Sequence, residues 1–408
     1  MTDKIMNRRN FWNFCSAGRV VFGMGVSRQL LRFLKPFRPG RVFVVTDQIL
    51  VRVGMVDQVL TPLRDAGIQV IVFDGGEAEP SFAAADRAVA AARSADPDLI
   101  IGLGGGSNMD LAKITAAAFT HGGNSIDYSG FDKVPGPVIP LICIPTTSGT
   151  GSEVSHAAVL TDLTNLVKVS VHSHYLRPAV AVVDPELTFS CPKKVTADSG
   201  IDALVHAIEG YTAVPFNELN VDVDEPFPFD GKQPMADCLA EKSIRLIGEH
   251  LERAVQDPQD RSAREGMSMA AMLAGLTFSN SAVAAVHALE YPLGAGLHCS
   301  HGAGNGLLLP WVMRFNLPAV TPEYARIAEL LGEDTSGCSL EEAAAKAIAA
   351  VERICRAIDI PERIRDLGAT RDQLPQFAAR AFAIRRLMLL NGRQATEADL
   401  LSILESAY

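Results

Sequence analysis

Short runs of apolar residues alternate with helical patterns through the first 187 residues. Arg41–Val45 reads Arg-Val-Phe-Val-Val, and similar runs at Gln69–Phe73 and at residues 99–103 follow intervening helical segments. Strands that are apolar throughout are typical of parallel sheets covered by helices on both faces. The other predicted elements are strands at 19–22 and 138–144, a helix ending at Leu34, and helices at 81–94 and 108–118. The sequence therefore predicts an α/β domain with a parallel sheet at residues 1–187.

The composition changes after residue 187. The β-branched runs stop, and patterns rich in Ala, Leu, Arg and Glu continue from Thr196 to the end. A chain of 408 residues is also long enough for two domains. We therefore predict an all-α C-terminal domain at residues 188–408. Residues 214–234 interrupt it with an acidic segment rich in Phe and Pro, which predicts a long irregular loop of the kind that often serves as a lid or binding loop.

Charge and cysteine content exclude several classes of protein. A net charge of −10 argues against a nucleic-acid or anionic-membrane partner. No apolar run approaches the roughly 18–20 residues that span a bilayer, and the first ten residues lack the apolar core of a signal peptide. Seven cysteines without paired spacing are typical of a reducing compartment. The composition thus predicts a cytoplasmic enzyme.

One Asp and three His form a candidate metal site. Asp202 and His206 are four residues apart in a helix-forming run, so their side chains project from one face. His287 is expected near the end of another helical run, before Pro292 stops it, and a Gly-rich turn then brings His301 to the start of the next helix. These nitrogen and oxygen ligands suit Fe(II) or Zn(II) and leave room for water or substrate. The alternative is that they are core histidines with ordinary hydrogen-bond partners.

Two loops at the carboxyl ends of predicted strands favour a dinucleotide. The first leads into a helix, where backbone N–H groups can approach a phosphate. The second follows the run ending at Ile144 and is rich in hydroxyl groups, which suit a ribose or pyrophosphate. Plain turns are the alternative for both. The residues concerned are Gly104, Gly105, Gly106 and Ser107 in the first loop and Thr146, Thr147 and Ser148 in the second.

Asp47 follows the strand at Arg41–Val45. A carboxylate at this position can accept hydrogen bonds from the adenosine ribose and would repel a 2′-phosphate, which predicts NAD rather than NADP. An Asp at a strand end is also a common helix cap.

Four motifs together resemble the group III, iron-containing alcohol dehydrogenases. They are Gly104-Gly-Gly-Ser-x-x-Asp110-x-x-Lys113, Pro145-Thr-Thr-x-Gly-Thr-Gly-Ser-Glu153, Asp202-x-x-x-His206 and the segment from His287 to His301. The resemblance covers most of the chain. It implies the fold shared with dehydroquinate synthase and glycerol dehydrogenase, an active site in the cleft between the domains, and reversible hydride transfer between an alcohol and NAD. It also implies iron as the metal, and we expect a homodimer or higher homo-oligomer.

Carried over by position, the resemblance assigns Asp202, His206, His287 and His301 as metal ligands. It assigns to the cofactor the residues Gly104, Gly105, Gly106, Ser107, Asp110, Thr146, Thr147 and Ser148. Lys168 matches a family lysine near the cofactor, although an exposed strand lysine is the alternative.

The sequence departs from the family pattern at Tyr291, where many members have a second histidine. Tyr291 lies one helical turn beyond His287, so its ring should point toward the same cleft. We interpret it as a residue that shapes the pocket or binds substrate, with a space-filling core tyrosine as the alternative. His298 is the reserve candidate for proton transfer, or it caps a turn.

Two other activities stay open at this point. Tyr291 followed by Pro292, and the long insertion, resemble the hydroxyacid–oxoacid transhydrogenase branch, which would retain its cofactor and act on hydroxy and oxo acids. A non-redox lyase of the dehydroquinate synthase type is the second alternative.

Overall fold

The computed structural model describes residues 9–164, 167–222 and 226–408. Within them the chain divides into two compact units. Ser16–Cys191 forms the first, here called the sheet unit, and residues 192–408 with residues 9–15 form the second, the helical unit. The sequence predicts a boundary near Leu187, and the observed division falls after Cys191.

A six-stranded parallel sheet organises the sheet unit, in the order β1-β9-β6-β4-β2-β3. The strands of this sheet are β1 (Val20–Phe22), β2 (Arg41–Val45), β3 (Gln69–Phe73), β4 (Leu99–Gly104), β6 (Leu141–Pro145) and β9 (Val180–Val183). The helices of the unit are α1 (Leu30–Leu34), α2 (Gln48–Arg52), α3 (Met55–Asp65), α4 (Phe82–Ala95) and α5 (Gly106–His121).

Both faces of this sheet are buried. Phe43 and Val45 pack into a core with residues of α4 and α5, whereas Val42 and Val44 pack on the opposite face with residues of α1 and α3. Successive side chains of a strand point to opposite faces, so a strand buried on both sides has to be apolar throughout. The parallel α/β domain predicted from these runs is confirmed.

A second, three-stranded sheet is not part of the sequence prediction. It has the order β5-β8-β7 and contains β5 (Gly130–Phe131), β7 (Ala157–Asp162) and β8 (Val167–His172). β7 and β8 pair antiparallel. These strands are short or mixed in polarity, so their sequences lack the uniformly apolar pattern of the main sheet.

The helical unit contains ten α-helices in its described residues. They are α6 (Lys193–Tyr211), α7 (Pro234–Gln256), α8 (Arg261–Asn280), α9 (Ala285–Leu297), α10 (His301–Asn316), α11 (Thr321–Leu330), α12 (Leu340–Ala357), α13 (Leu374–Phe382), α14 (Arg385–Leu390) and α15 (Glu397–Ala407). Among the described residues, no single helix has the length and apolar character to cross a membrane. α8 and α9 together have that length and composition, but they are bent by 103° relative to each other.

The segment between α6 and α7 is irregular in its described residues, as predicted, and its ends are anchored within the helical unit. Phe216 N donates to Lys232 O at 3.0 Å, and Gly231 N donates to Ser281 O at 2.9 Å. Asp230 forms an ion pair with Arg9. Its base is therefore fixed to α8 and to the N-terminal segment.

The predicted position of His287 within its helix is wrong. The helical run breaks at residues 281–284, so His287 lies in the first turn of α9, and Pro292 lies inside that helix rather than at its end. Leu289 and Leu293, on either side of Pro292, are fully buried in the core. We attribute the continued helix to this packing, which offsets the hydrogen bond that proline cannot donate.

Candidate functional site

Three helices of the helical unit bring four predicted ligands together. Asp202 and His206 lie on successive turns of α6, His287 lies in the first turn of α9, and His301 is the first residue of α10. The prediction of a Gly-rich turn before His301 is wrong, because Gly294 and Gly296 lie inside α9 and the two helices are joined by residues 298–300, His-Cys-Ser. Apart from His301, which is partly exposed, the side chains of the predicted ligands are buried.

Their donor atoms converge on one point. His287 Nε2 lies 3.1 Å from His206 Nε2, and Asp202 Oδ1 lies 3.9 Å from His287 Nε2 and 3.8 Å from His301 Nε2. Ligand atoms of Asp202, His206 and His287 all lie within 4.8 Å of one another. These separations suit a transition metal with bonds of roughly 2.0–2.2 Å to nitrogen and oxygen.

Two imidazoles are held from behind by carboxylates. His287 Nδ1 lies 2.6 Å from Glu209 Oε2, and His301 Nδ1 is hydrogen-bonded to Glu290. A carboxylate that accepts from Nδ1–H leaves the Nε2 lone pair directed toward the other ligands. The residues present therefore fit a divalent metal, and this geometry favours a ligand set over unrelated core histidines.

The surroundings keep the Asp202 carboxylate ionised. Burial raises its pKa, but His206, His301, His287 and a hydrogen bond from Asn305 outweigh burial, so the pKa of Asp202 is lowered overall. An ionised, buried carboxylate needs positive charge or hydrogen-bond donors nearby. This requirement again suits a cation at the centre of the four side chains.

Aromatic rings border the ligand set. The Phe278 ring stacks on His206 with a centroid separation of 4.4 Å. Tyr291 lies 6.3 Å from the His287 ring and 6.0 Å from the His301 ring. The ring of Tyr291 thus borders two ligands, as its spacing from His287 predicts. His298 is exposed and ends α9 with φ 53°, so it occupies the turn position named in its second alternative.

In the sheet unit, the three predicted cofactor segments leave neighbouring strands. Asp47 follows β2, the glycine loop follows β4, and the hydroxyl-rich loop follows β6, which are adjacent in the sheet. Because these strands are parallel, all three segments start at the same edge. Gly105 precedes the first turn of α5, whose N-terminus therefore opens at this edge.

Contacts join Asp47 to the glycine loop. Asn108 Nδ2 donates to Asp47 Oδ2 at 2.6 Å and to Leu103 O at 3.3 Å. Gly104 has φ 145°, in the region that favours glycine, and a side chain there would collide with Asn108. Asp47 also caps α2, because its Oδ1 accepts from Ile49 N and Leu50 N. The predicted cap is present, while the second oxygen faces the glycine loop.

A buried network holds the second loop against α5. Asp110 accepts from Ser152 Oγ at 2.6 Å and from Val159 N at 2.9 Å. Lys113, fully buried, donates to Ser152 Oγ, Ser155 Oγ and Ala157 O. Both carboxylate oxygens of Asp110 are thus engaged by the chain itself, and Asp110 positions the loop that carries Thr146, Thr147 and Ser148.

Lys168 lies in β8, and its side chain is only 7% exposed. Its Nζ is 3.3 Å from Glu79 Oε2. The alternative of an exposed strand lysine is therefore wrong.

Comparison with known proteins agrees with this architecture. A family model described as "Iron-containing alcohol dehydrogenase" matches residues 17–185, and one described as "Fe-containing alcohol dehydrogenase family, C-terminal" matches residues 225–408. The chain belongs to the iron-containing alcohol dehydrogenase family. It is an oxidoreductase, an alcohol dehydrogenase of the iron-containing type.

Relatives of this dehydrogenase are similar along nearly their whole length. "Long-chain-alcohol dehydrogenase 1" of Geobacillus thermodenitrificans is 39% identical over 402 residues, covering 96% of this chain and 97% of the relative. "NAD-dependent methanol dehydrogenase" of Bacillus methanolicus is 34% identical, covering 97% and 99%. A crystal structure of 1,3-propanediol oxidoreductase superposes with a TM-score of 0.91 at 34% identity, covering 98% of this chain and all of that one. The names favour a dehydrogenase over the transhydrogenase alternative.

Three polar residues of the dehydrogenase site are missing from the sequence prediction: Glu209, Glu290 and Asn305. Each follows a ligand at helical spacing, since Glu209 is seven residues after Asp202, Glu290 three after His287 and Asn305 four after His301. Residues at these spacings share one helix face. That spacing is the signal that could have identified them.

Proposed function

We propose that the protein catalyses reversible hydride transfer between an alcohol and NAD, with Fe(II) held by Asp202, His206, His287 and His301. The observation that carries this proposal is the convergence of three Nε2 atoms and one carboxylate, with two of the imidazoles fixed through Nδ1. When bound, the metal supplies a Lewis acid at the reacting oxygen, and the nicotinamide accepts or donates the hydride.

The chain's own residues supply binding and orientation in this proposal. Asp202 and the imidazoles fix the reaction centre, and Tyr291 lines the substrate side or hydrogen-bonds to substrate. His298 is the reserve candidate for proton transfer, in which case His298→Ala should flatten the pH dependence of turnover. Zn(II) suits the same ligands, and the family to which the chain belongs is the reason for proposing iron.

NAD is the proposed cofactor because Asp47 and the two loops lie at one edge of the parallel sheet, at the carboxyl ends of adjacent strands. Backbone N–H groups at Gly105 and Gly106, together with the α5 N-terminus, suit the pyrophosphate. Asp47 would accept from the adenosine ribose. The NAD-dependent relative from Bacillus methanolicus supports the same choice.

A metal-content and turnover experiment tests this function. Protein purified anaerobically with Fe(II) should hold about one metal per chain and reduce NAD with members of an alcohol panel. His301→Ala should lose most of the metal and nearly all turnover while staying folded, because an imidazole ligand is gone. His250→Ala is the matched control, since His250 belongs to the same unit and is distant in sequence from the ligands. Full metal content and turnover in His301→Ala would contradict the proposal.

The transhydrogenase alternative predicts a different result in the same assay. An enzyme that retains its cofactor would exchange hydride between a hydroxy acid and an oxo acid without added NAD. We expect no turnover under that condition.

Cellular location and assembly are further parts of the proposal. The seven cysteines are all free thiols, which supports a reducing compartment such as the cytoplasm. We propose a homodimer or higher homo-oligomer, which light scattering on the purified protein would measure.

A further inference from the structure

Each of the three helices that supplies a metal ligand also supplies a polar group to a ligand on another helix. α6 carries Asp202, His206 and Glu209, α9 carries His287 and Glu290, and α10 carries His301 and Asn305. The three additional residues are buried. One contact of each residue leads from its own helix to the next around the three helices.

The first contact runs from α6 to α9. Glu209 Oε2 lies 2.6 Å from His287 Nδ1 and also accepts from Ala284 N at 2.9 Å, and Glu209 Oε1 accepts from Val286 N at 2.7 Å. A carboxylate of α6 thus holds both the first turn of α9 and the ligand within that turn. The position of His287 is therefore tied to α6.

The second contact runs from α9 to α10. Glu290, fully buried, is hydrogen-bonded to His301 Nδ1. Gly304 makes room for it, because a Cβ at that position would lie 2.9 Å from Glu290 Cγ. A buried carboxylate is costly unless it is paired or hydrogen-bonded. The hydrogen bond to His301 therefore accounts for the burial of Glu290, which a role in filling the core would not.

The third contact runs from α10 back to α6. Asn305 Nδ2 donates to Asp202 Oδ1 at 2.8 Å, and it lies 3.3 Å from His287 Nε2 and 3.2 Å from His301 Nε2. The carboxamide therefore lies beside donor atoms from all three helices. A carboxylate can only accept, so the amide nitrogen is the atom that suits Asp202.

We propose that Glu209, Glu290 and Asn305 form a closed outer ring of positioning residues, in which each ligand-bearing helix orients one ligand of the next. The proposal rests on the metal site proposed above. Glu209 and Glu290 select the Nδ1–H form of His287 and His301 and so direct Nε2 inward, while Asn305 fixes the Asp202 carboxylate. The buried side chains of Asp202, Glu209 and Glu290 beside these imidazoles also favour a divalent cation at the centre.

Metal affinity and ligand-field spectra test the outer ring. Metal-free protein would be titrated with Co(II) in competition with a chelator, and the visible absorption of the Co(II) form would report the ligand geometry. Glu290→Ala and Asn305→Ala should each raise the metal dissociation constant by about 10- to 100-fold, the range for losing an outer hydrogen-bond partner of a ligand. Glu290→Gln, which keeps an acceptor for Nδ1–H, should lose less affinity than Glu290→Ala. Both alanine variants should shift the Co(II) spectrum.

Glu209 is tested with Glu209→Gln and not with alanine, because alanine would also remove the acceptors of Ala284 N and Val286 N at the start of α9. Glu241→Gln is the matched control, since Glu241 on α7 binds Tyr211 and Arg326 and no ligand. It should change neither affinity nor spectrum, even where it lowers the melting temperature of the metal-free protein.

The outcomes separate the two proposals. Wild-type affinity and an unchanged Co(II) spectrum in Glu290→Ala and Asn305→Ala, with wild-type protein binding one metal, would overturn the ring and leave the metal site intact. Failure of wild-type protein to bind metal would overturn the metal site itself. Should the alanine variants not fold, an unchanged affinity and spectrum in Glu290→Gln and Glu209→Gln would also count against the ring.

Discussion

Asp47 shows how one carboxylate combines a structural role with a proposed binding role. Oδ1 caps α2, and Oδ2 accepts from Asn108 in the first turn of α5. A substitution that removes the whole side chain would therefore mix a loss of helix stability with any change in cofactor choice. Asparagine can retain the cap through its oxygen, but it replaces the charged Oδ2 acceptor of Asn108 with an amide nitrogen.

Asp47→Asn is predicted to improve the use of NADPH relative to NADH. The reason is that the native carboxylate would repel the 2′-phosphate of NADPH. The free energy of unfolding should fall by about 1 kcal/mol, because Asn is as good an N-cap as Asp but the hydrogen bond from Asn108 is lost. The measurement is kcat/KM for both cofactors, with Asp65→Asn, an exposed site at the end of α3, as the control. A native preference for NADPH would show that Asp47 is only a cap.

Tyr291→Phe is predicted to change KM and the ranking of substrates more than kcat. Its ring borders His287 and His301, but a phenol with a pKa near 10 is a poor proton relay at neutral pH. Steady-state kinetics over pH 6–10 with an alcohol panel measure both constants. A fall in kcat of about a hundredfold or more, the scale of a lost general acid, would assign proton transfer to Tyr291 instead.

At the scale of elements, the hydroxyl-rich loop depends on the buried contacts between α5 and the residues that follow the loop. Glu153, directly after the loop, is buried. Burial raises its pKa to about 7, and this effect outweighs a backbone hydrogen bond and the charge of Lys113, both of which lower it. Folding therefore favours the protonated form of Glu153.

Stability should consequently fall as the pH rises. The contribution of Glu153 is complete below its ordinary pKa of 4.5 and is lost as the pH passes through about 7. Glu153→Gln mimics the protonated form, so it is predicted to be more stable than wild type at pH 8, by roughly 1–3 kcal/mol, and similar to wild type at pH 5. Denaturant unfolding at the two pH values measures this difference. An equal difference at both values would refute the assignment.

At the scale of the whole molecule, the proposed metal site would couple metal binding to folding in the helical unit. The four proposed ligands come from α6, α9 and α10, so a metal bound to them would crosslink three helices. A ligand that binds only the folded state stabilises it by about 2.7 kcal/mol at a free concentration 100 times its dissociation constant.

Metal removal is accordingly predicted to lower the melting temperature by roughly 5–10 °C and to increase amide exchange in α6, α9 and α10. The strands of the sheet unit serve as the internal reference, since they contain none of the proposed ligands. Calorimetry and hydrogen exchange with and without chelator provide the data. Unchanged exchange in these helices would argue against the ligand set.

The sequence alone determined the class of the fold and predicted the four candidate ligands. Runs of consecutive apolar residues, such as residues 42–45 of β2, predict a sheet covered on both faces, because every second side chain points to the opposite side. The spacing between Asp202 and His206 places both on one helix face for an equally local reason. Patterns of this kind depend only on the period of a helix or strand, so they can be found without knowing what packs against them.

Only the tertiary structure decided where α9 begins and which side chains contact the proposed ligands. The first turn of α9 is held by Glu209, 75 residues earlier in the chain than Ala284, and Pro292 is accommodated within a helix whose flanking leucines are buried. Lys168 is likewise buried by its surroundings and not by its strand pattern. At Ala284 and at Lys168 the contact joins residues far apart in sequence, which a local sequence pattern does not report.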